Sequence, residues 1–171
     1  RVGEGTALGG VHWGIATDGA NFILPISDPL KVSINPGFVG KAGMYAFDLK
    51  TGKPAWSFLA QPDCTGQRAT LVVSCNDKFG FSAAPLIVDG AVIGGTLGGQ
   101  ILILDASTGA MINKLDTIGP VTPINKEIAG KGGSIDSHGI SAGAGMVFVS
   151  SGYSAFGQTG GNALIAYRPK Q

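Results

Sequence analysis

The chain has 171 residues, a formal net charge of +1, and 13% charged against 44% hydrophobic residues. This near-neutral balance excludes the strongly basic surface typical of proteins that bind nucleic acid or anionic membranes. The hydrophobic content excludes a disordered chain. Glycine is over-represented at 29 residues, well above its usual share of about 7%. Because these glycines are spread among short runs of Val, Ile and Leu, they indicate many tight turns between closely packed strands.

Taken in chain order, the predicted elements are short apolar strands joined by glycine turns. Three pairs of apolar runs flank two-residue turns, which are Asp18-Gly19, Asp89-Gly90 and Ala144-Gly145. Asp-Gly between apolar runs is a strong hairpin signal, because both turn positions need a positive φ. Later strands end at Asp48 and Asp105, and each begins an Asp-x-x-Thr-Gly turn. In such turns the Asp and Thr side chains bond nearby backbone amides.

The same pattern recurs along the chain. Residues 45–52 and 102–109 superimpose at an offset of 57 positions, and residues 163–167 repeat the strand a third time. No stretch shows sustained helical periodicity, and the strands are apolar at nearly every position, which suits sheets covered on both faces. Radially stacked four-stranded blades meet this requirement. The sequence therefore predicts an all-β fold, a β-propeller of four-stranded antiparallel blades.

The repeats also predict blade boundaries. Residues 12–59 and 82–115 are predicted as two blades, residues 138–168 as an incomplete last blade, and residues 1–5 as the tail of a preceding blade. Three copies cannot close a ring, so we expect the remaining blades to come from a longer chain. A last blade that stops after its third strand is what an N-terminal fourth strand would complete.

Two further features concern the cellular context. The longest uncharged apolar stretch, residues 91–104, is short and interrupted by glycines, so no membrane span is predicted. Cys64 and Cys75 could close a small loop as a disulfide or could remain free thiols. Of these two alternatives, the disulfide is the one that fits an exported protein.

Blade geometry predicts where functional residues gather. The hairpin turns and the Asp-x-x-Thr-Gly turns are minimal and lie on one face of the disc, so all long connections fall on the other face. Functional residues concentrate on loops held by a rigid scaffold. The candidates on the long-loop face are His12, Trp13, Asp28, the segment 64–77, Asp136, His138 and Tyr153.

Two motifs carry a more specific signal. Residues 46–56, A-F-D-L-K-T-G-K-P-A-W, resemble the tryptophan-docking repeat A-x-D-x-x-T-G-K-x-x-W of quinoproteins that depend on pyrroloquinoline quinone (PQQ). Residues 9–14, G-G-V-H-W-G, resemble the G-G-x-x-W-G segment of quinoprotein alcohol dehydrogenases. The pattern at residues 132–136 and 150–153 is similar to that of polyvinyl-alcohol-dehydrogenase-like proteins. The resemblance covers nearly the whole chain and implies the C-terminal portion, about three blades, of an eight-bladed propeller.

The resemblance implies roles for individual residues. It implies that Trp56 packs between blades and that Trp13 is the flat platform under the quinone. His12, beside Trp13, is a further candidate for cofactor binding, although a loop histidine more commonly only makes hydrogen bonds, as His138 also would. Asp28 lies where the family carries an Asn that ligates the cofactor-associated calcium, and a carboxylate is a suitable hard ligand for that ion. An Asp before a Pro also commonly caps a turn, so both interpretations of Asp28 remain open.

At the positions where the family carries its general base and an accompanying Arg, this sequence departs from the family pattern. The family's catalytic Asp is not retained within residues 76–84, and its Arg is not retained within residues 96–99. Asp77, or Asp136 one blade further on, could replace the base. Each of them is otherwise a solvated loop carboxylate.

Two functions follow. The first is part of a periplasmic or secreted PQQ-dependent alcohol dehydrogenase, which passes a hydride from an alcohol substrate to the quinone, with calcium as a second cofactor and a cytochrome c as electron acceptor. The second is a non-catalytic propeller of the same repeat family, which serves as a scaffold or assembly platform. The missing Asp and Arg favour the second function, whereas the G-G-x-x-W-G segment and Asp28 favour the first.

Overall fold

The computed structural model describes residues 3, 9–28, 37–124 and 128–169. Most of the predicted tail at residues 1–5 lies outside the described residues, as do Pro29 and Lys170. The described part of the chain consists of antiparallel sheets and a single helical turn. No helix within that part is long and apolar enough to cross a membrane. The predicted all-β class is confirmed.

The first four-stranded sheet spans residues 16–59. Its strands, antiparallel and in chain order across the sheet, are β1 (Ala16–Thr17), β2 (Asn21–Ile26), β3 (Gly43–Asp48) and β4 (Pro54–Leu59). At the turn before β2, the Asp18 carboxylate accepts the N–H groups of Ala20 and Asn21 at 2.8 and 2.6 Å. The turn after β3 is held in the same way, since the Asp48 carboxylate accepts the Thr51 N–H at 2.7 Å.

The second sheet repeats this arrangement. Its strands are β5 (Leu86–Val88), β6 (Ala91–Gly95), β7 (Gln100–Asp105) and β8 (Met111–Asp116). Asp89 and Gly90 both have a positive φ, 48° and 77°, as the Asp-Gly hairpin requires. The Asp105 carboxylate accepts the N–H groups of Ser107 and Thr108, each at 2.9 Å.

The remaining strands form a ribbon and a third sheet. The ribbon consists of β9 (Gly119–Val121) and β10 (Gly130–Gly132), and the three-stranded sheet consists of β11 (Ile140–Gly143), β12 (Met146–Ser151) and β13 (Ala163–Tyr167). The ribbon was not predicted from the sequence, because its glycines and Pro120 are residues that strands disfavour. Helix α1 (Arg68–Leu71), inside the loop between the cysteines, was not predicted either.

Two apolar cores join neighbouring sheets. The first core joins the first and second sheets, and its largest fully buried members are Ile23, Met44, Phe81, Val92 and Leu104. The second core joins the second sheet to the third, and includes Ile93, Ile101, Ile135, Ile140 and Val149. Since β6 and β7 contribute to both cores, the second sheet is covered on both faces. This arrangement explains why β6 and β7 are apolar at nearly every position.

Trp56 docks the first sheet onto the second. Its side chain is buried, and its Nε1–H donates to the Ala106 carbonyl at 2.8 Å. A Cβ added at Gly109 would lie 2.5 Å from the indole ring, so only glycine allows this close approach. Ala106 and Gly109 belong to the turn after β7. Trp56 thus has the inter-blade position that the resemblance implied.

Candidate functional site

The starts of three inner strands meet on one side of the molecule. β1, β5 and β11 are the first strands of their sheets, and β5 contacts the other two. A Cβ added at Gly14, ahead of β1, would lie 3.1 Å from the Cβ of Ala84, ahead of β5. The Ala84 N–H donates to the carbonyl of Ser137, ahead of β11, at 3.0 Å. We call Gly14, Ala84 and Ser137 the strand junction.

Trp13 lies next to this junction in a constrained turn. The Gly14 N–H donates to the His12 carbonyl at 2.8 Å, which closes a three-residue turn with Trp13 at its centre. Trp13 has a φ of 62°, a conformation that is uncommon and strained for a bulky residue. Strained backbone of this kind clusters at functional sites. The turn leaves Trp13 42% exposed.

An aromatic cluster surrounds the indole. The Tyr153 ring lies edge-on to Trp13, with centroids 6.3 Å apart and an interplanar angle of 73°. The half-buried His12 ring lies 6.2 Å from the indole in a similar arrangement. Tyr153 follows β12 in the third sheet, and the second sheet lies between it and the first. Trp13 can therefore reach Tyr153 only on the inner side, where the first strands converge.

Asp28 is buried at the end of β2. It has no exposed surface, and one oxygen accepts the Gly10 N–H at 2.6 Å. The carboxylate thus fixes the segment that leads into Trp13. Burial, and then the charge of Asp28, raise the pKa of the Tyr45 hydroxyl. Within residues 3, 9–28, 37–124 and 128–169, no three His, Cys, Asp or Glu side chains lie together as a metal site would need.

Asp136 precedes Ser137 of the strand junction and is 2% exposed. One carboxylate oxygen accepts the Ser137 N–H at 2.7 Å, and the other accepts the Gln158 amide at 2.6 Å. The interpretation of Asp136 as a solvated loop carboxylate is therefore wrong. No sequence signal pointed to Gln158, which lies in a polar loop 22 positions away. His138 is exposed, and its Nδ1 lies 3.3 Å from the Ser137 hydroxyl.

The Cys64–Cys75 loop lies beside this site, and its two cysteines form a disulfide with Cα atoms 5.7 Å apart. The sequence left open whether the two cysteines form a disulfide or remain free thiols, and the structure has the disulfide. Asp77 follows the bridge, is half-buried, and donates its N–H to the Ser74 carbonyl at 2.8 Å. The structure thus brings Trp13, Tyr153 and Asp136 to the strand junction, and places Asp77 at the end of the neighbouring disulfide loop.

Polar contacts fasten the disulfide loop to the second sheet. Arg68 of α1 donates to the Gly98 carbonyl at 2.7 Å and pairs with Asp116 at 2.6 Å. The Asp63 carboxylate accepts the Gln100 amide at 2.8 Å. A hydrogen bond from the Thr65 hydroxyl holds the pKa of Asp63 well below its usual range, and burial opposes this shift. The loop is therefore tied to the scaffold at several points.

No protein-family model matches the chain. Over 98% of its length the chain is 31% identical to a polyvinyl alcohol dehydrogenase of Sphingopyxis sp. (strain 113P3). It is 32% identical, again over 98% of its length, to a polyvinyl alcohol dehydrogenase of Pseudomonas sp.. The chain spans 26% of the length of each of these relatives.

Solved structures share the fold at lower identity. A quinohemoprotein alcohol dehydrogenase from Pseudomonas putida HK5 superimposes with a TM-score of 0.54 and 17% identity, covering 90% of this chain and 18% of that one. The quinohemoprotein alcohol dehydrogenase from Comamonas testosteroni superimposes with a TM-score of 0.53 and 18% identity, covering 86% of this chain and 18% of that one. A europium-containing methanol dehydrogenase superimposes with a TM-score of 0.54 and 18% identity, covering 93% of this chain and 30% of that one. The chain is therefore similar in sequence to polyvinyl alcohol dehydrogenases over nearly its whole length, and it shares its fold with the quinohemoprotein and methanol dehydrogenases.

Proposed function

We propose that the full-length protein is a PQQ-dependent alcohol dehydrogenase and that this chain supplies one wall of its cofactor site. The relatives of similar sequence are alcohol-oxidising enzymes by name. The observation that carries the proposal is the exposed Trp13 indole beside the strand junction. A planar quinone needs a flat apolar surface, and an indole supplies one.

The aromatic cluster fits such a cofactor. Trp13 has a constrained backbone and a neighbouring ring at Tyr153, yet it remains 42% exposed. A side chain that is both held in place and accessible suits stacking of a planar ligand. When bound, PQQ supplies the capacity to accept a hydride from the alcohol, while the protein supplies binding, orientation and electrostatics.

Asp28 fits a calcium ion only in part. Its carboxylate is a suitable hard ligand, but calcium takes about six to eight oxygen ligands. One oxygen of Asp28 already accepts the Gly10 N–H at 2.6 Å. We propose that Asp28 contributes to the metal site, that other oxygens complete it, and that the carboxylate also orients the segment before Trp13.

Asp136 is the proposed proton acceptor, with Asp77 as the alternative. Asp136 adjoins the strand junction, whereas Asp77 ends the neighbouring loop. Each oxygen of Asp136 accepts one hydrogen bond, and a carboxylate can accept about four. The group therefore retains capacity for an alcohol hydroxyl.

The disulfide supports an exported protein. Disulfides persist in oxidising compartments such as the bacterial periplasm and the extracellular space. We therefore propose a periplasmic or secreted location, where a cytochrome c could accept electrons from the reduced cofactor. The remaining blades of the propeller are the other proposed partner of this chain.

Equilibrium dialysis of PQQ against the full-length protein, with calcium present, tests the proposal. Trp13→Ala is expected to weaken PQQ binding, because stacking on an indole adds about 1 kcal/mol beyond area burial. Trp56→Ala, which removes the other indole, is the matched control and should weaken binding clearly less in protein that remains folded. Wild-type protein that binds no PQQ would refute the proposal, as would equal effects of the two variants.

A non-catalytic scaffold is the second candidate. The sequence observation that favours it is the loss of the family's Asp and Arg from residues 76–84 and 96–99. A scaffold would fold normally and bind no PQQ. Oxidation of an alcohol by wild-type protein reconstituted with PQQ, together with loss of that activity in Asp136→Asn or Asp77→Asn, would exclude it.

A further inference from the structure

The connection between β12 and β13 is a compact loop with a closed base. The Gly161 N–H donates to the Gly152 carbonyl at 3.0 Å. Gly152 has a φ of 137°, and a Cβ added to it would lie 2.2 Å from the carbonyl carbon of Gly161. The two ends of the loop therefore touch, and only glycine allows this approach. Residues 153–160 form an Ω-type loop, a class that is frequently functional.

Buried polar groups anchor this loop to residues 134–136. Gln158 is 4% exposed, and its amide donates to the Asp136 carboxylate at 2.6 Å. The Thr159 N–H donates to the Ser134 hydroxyl at 3.0 Å, and the Ser134 N–H donates to the Thr159 carbonyl at 2.8 Å. Satisfied polar networks of this kind make the local structure rigid.

The disulfide loop holds the same segment from its other side. The Val73 N–H donates to the Thr159 hydroxyl at 2.8 Å. The Lys78 ammonium donates to the Phe156 carbonyl at 3.3 Å and also to the Gly157 carbonyl. The Ω-type loop is thus fixed by two different parts of the chain, which is more than the connection of two strands requires.

The anchored loop presents Tyr153 to the indole. The Tyr153 N–H donates to the Ser134 carbonyl at 3.2 Å, so the backbone of Tyr153 is held against residue 134. Its ring lies edge-on to Trp13, in an arrangement that aromatic pairs favour. The His12 ring also lies 6.2 Å from the indole, but His12 belongs to the same turn as Trp13, whereas Tyr153 belongs to a separately anchored loop.

We propose that Tyr153 is a positioning residue that holds the Trp13 indole in the orientation in which it receives a planar ligand. The anchors at Gln158 and Thr159 fix the Ω-type loop so that Tyr153 can do this. The identity of the ligand rests on the proposed function. The restraint of Trp13 by Tyr153 is a property of the protein alone and can be measured without the ligand.

Fluorine NMR of the full-length protein labelled with 5-fluorotryptophan measures this restraint. The resonance that is missing from Trp13→Phe belongs to Trp13. In Tyr153→Ala the line width of this resonance is expected to change as the indole gains freedom of motion, whereas Tyr153→Phe, which keeps the ring, should keep the wild-type line width. Phe156→Ala is the matched control, because it removes an exposed aromatic ring from the same loop.

An unchanged Trp13 resonance in Tyr153→Ala would overturn the positioning role, and so would an equal change in Phe156→Ala. If Tyr153→Ala does not fold, Tyr153→Leu fills most of the space without an aromatic ring and tests the same point. A Trp13 resonance in Tyr153→Leu identical to that of wild-type protein would then refute the proposal.

PQQ binding by the same variants separates this inference from the proposed function. Loss of the aromatic pair in Tyr153→Ala should weaken binding about fivefold, with Tyr153→Phe and Phe156→Ala near the wild-type affinity. Wild-type protein that does not bind PQQ refutes the proposed function, and the NMR result then decides the restraint alone. Wild-type protein that binds PQQ no better than Tyr153→Ala refutes the positioning role alone.

Discussion

The first and second sheets are joined by a different chemistry from the second and third. At the first interface, the Trp56 indole packs over Gly109 and donates to the Ala106 carbonyl. At the second, the Thr117 hydroxyl donates to the Gly99 carbonyl at 2.7 Å and lies 2.7 Å from the Ser151 hydroxyl. Each interface has an apolar core, to which the first adds a large aromatic ring and the second adds small hydroxyl groups.

The difference shows that a repeat can keep its turn and lose its docking residue. Asp105, Thr108 and Gly109 repeat the first turn, but the position of Trp56 is taken by Asn113. Asn113 is exposed, and its side chain accepts the N–H of the adjacent Lys114 at 2.8 Å. The turn motif serves local backbone geometry and the tryptophan serves contact between sheets, so the two can separate.

The largest expected effect is at the first interface. Trp56→Ala removes a buried ring and a hydrogen bond, and should lower the free energy of unfolding by about 3–5 kcal/mol. Chemical denaturation of the full-length protein measures this change. Trp13→Ala, at an exposed site, should cost much less. Equal destabilisation by the two substitutions would contradict the role of Trp56 in joining the first and second sheets.

At the second interface, the close approach of Gly95 to Ile135 is expected to matter next. A Cβ at Gly95 would lie 2.2 Å from the Ile135 Cγ2, so Gly95→Ala should destabilise by about 1–3 kcal/mol through overpacking. Gly143→Ala is the matched control, because a Cβ there meets nothing within 4 Å. Denaturation curves that coincide for the two variants would argue against this packing.

The hydroxyl network should contribute less than the packing. Thr117→Val keeps the shape of the side chain but removes its hydroxyl, which leaves the Gly99 carbonyl and the Ser151 hydroxyl with one partner fewer. We expect a loss of about 1–2 kcal/mol in the same measurement. Thr117→Ser keeps the hydroxyl and should therefore retain part of the free energy of unfolding that Thr117→Val loses. Full stability in Thr117→Val would show that this interface is held by its apolar core alone.

The smallest effect is expected at Asp63, which ties the disulfide loop to the second sheet. Because the pKa of Asp63 is lowered on folding, its carboxylate stabilises the fold above the unfolded pKa of about 4, and this stability is lost as pH falls through the lower folded pKa. Asp63→Asn should therefore cost about 1 kcal/mol at pH 7 and progressively less in acid. Unfolding free energies measured from pH 7 down to about pH 2 check this, and a pH-independent difference would contradict it.

The repeating parts of the structure could be predicted from the sequence, and the non-repeating parts could not. Turns such as Asp18-Gly19 and the docking of Trp56 follow from local chemistry and from a repeat motif. The contact of Gln158 with Asp136 joins side chains that no period relates, and the β9–β10 ribbon forms from residues of poor strand propensity. Such features depend on the packing of sheets distant in sequence, which a pattern of local residues does not encode.

The edge contact between Trp13 and Tyr153 has a consequence for the order of folding. The two residues are 140 positions apart, and the whole second sheet is built from the chain between them. Contacts of such long sequence separation are slow to form, because the entropy of closing the loop is lost before the contact contributes stability. The pair is therefore expected to form after the more local hairpins of the intervening sheet, so an intact aromatic cluster would report that the first and third sheets have been brought together across the second.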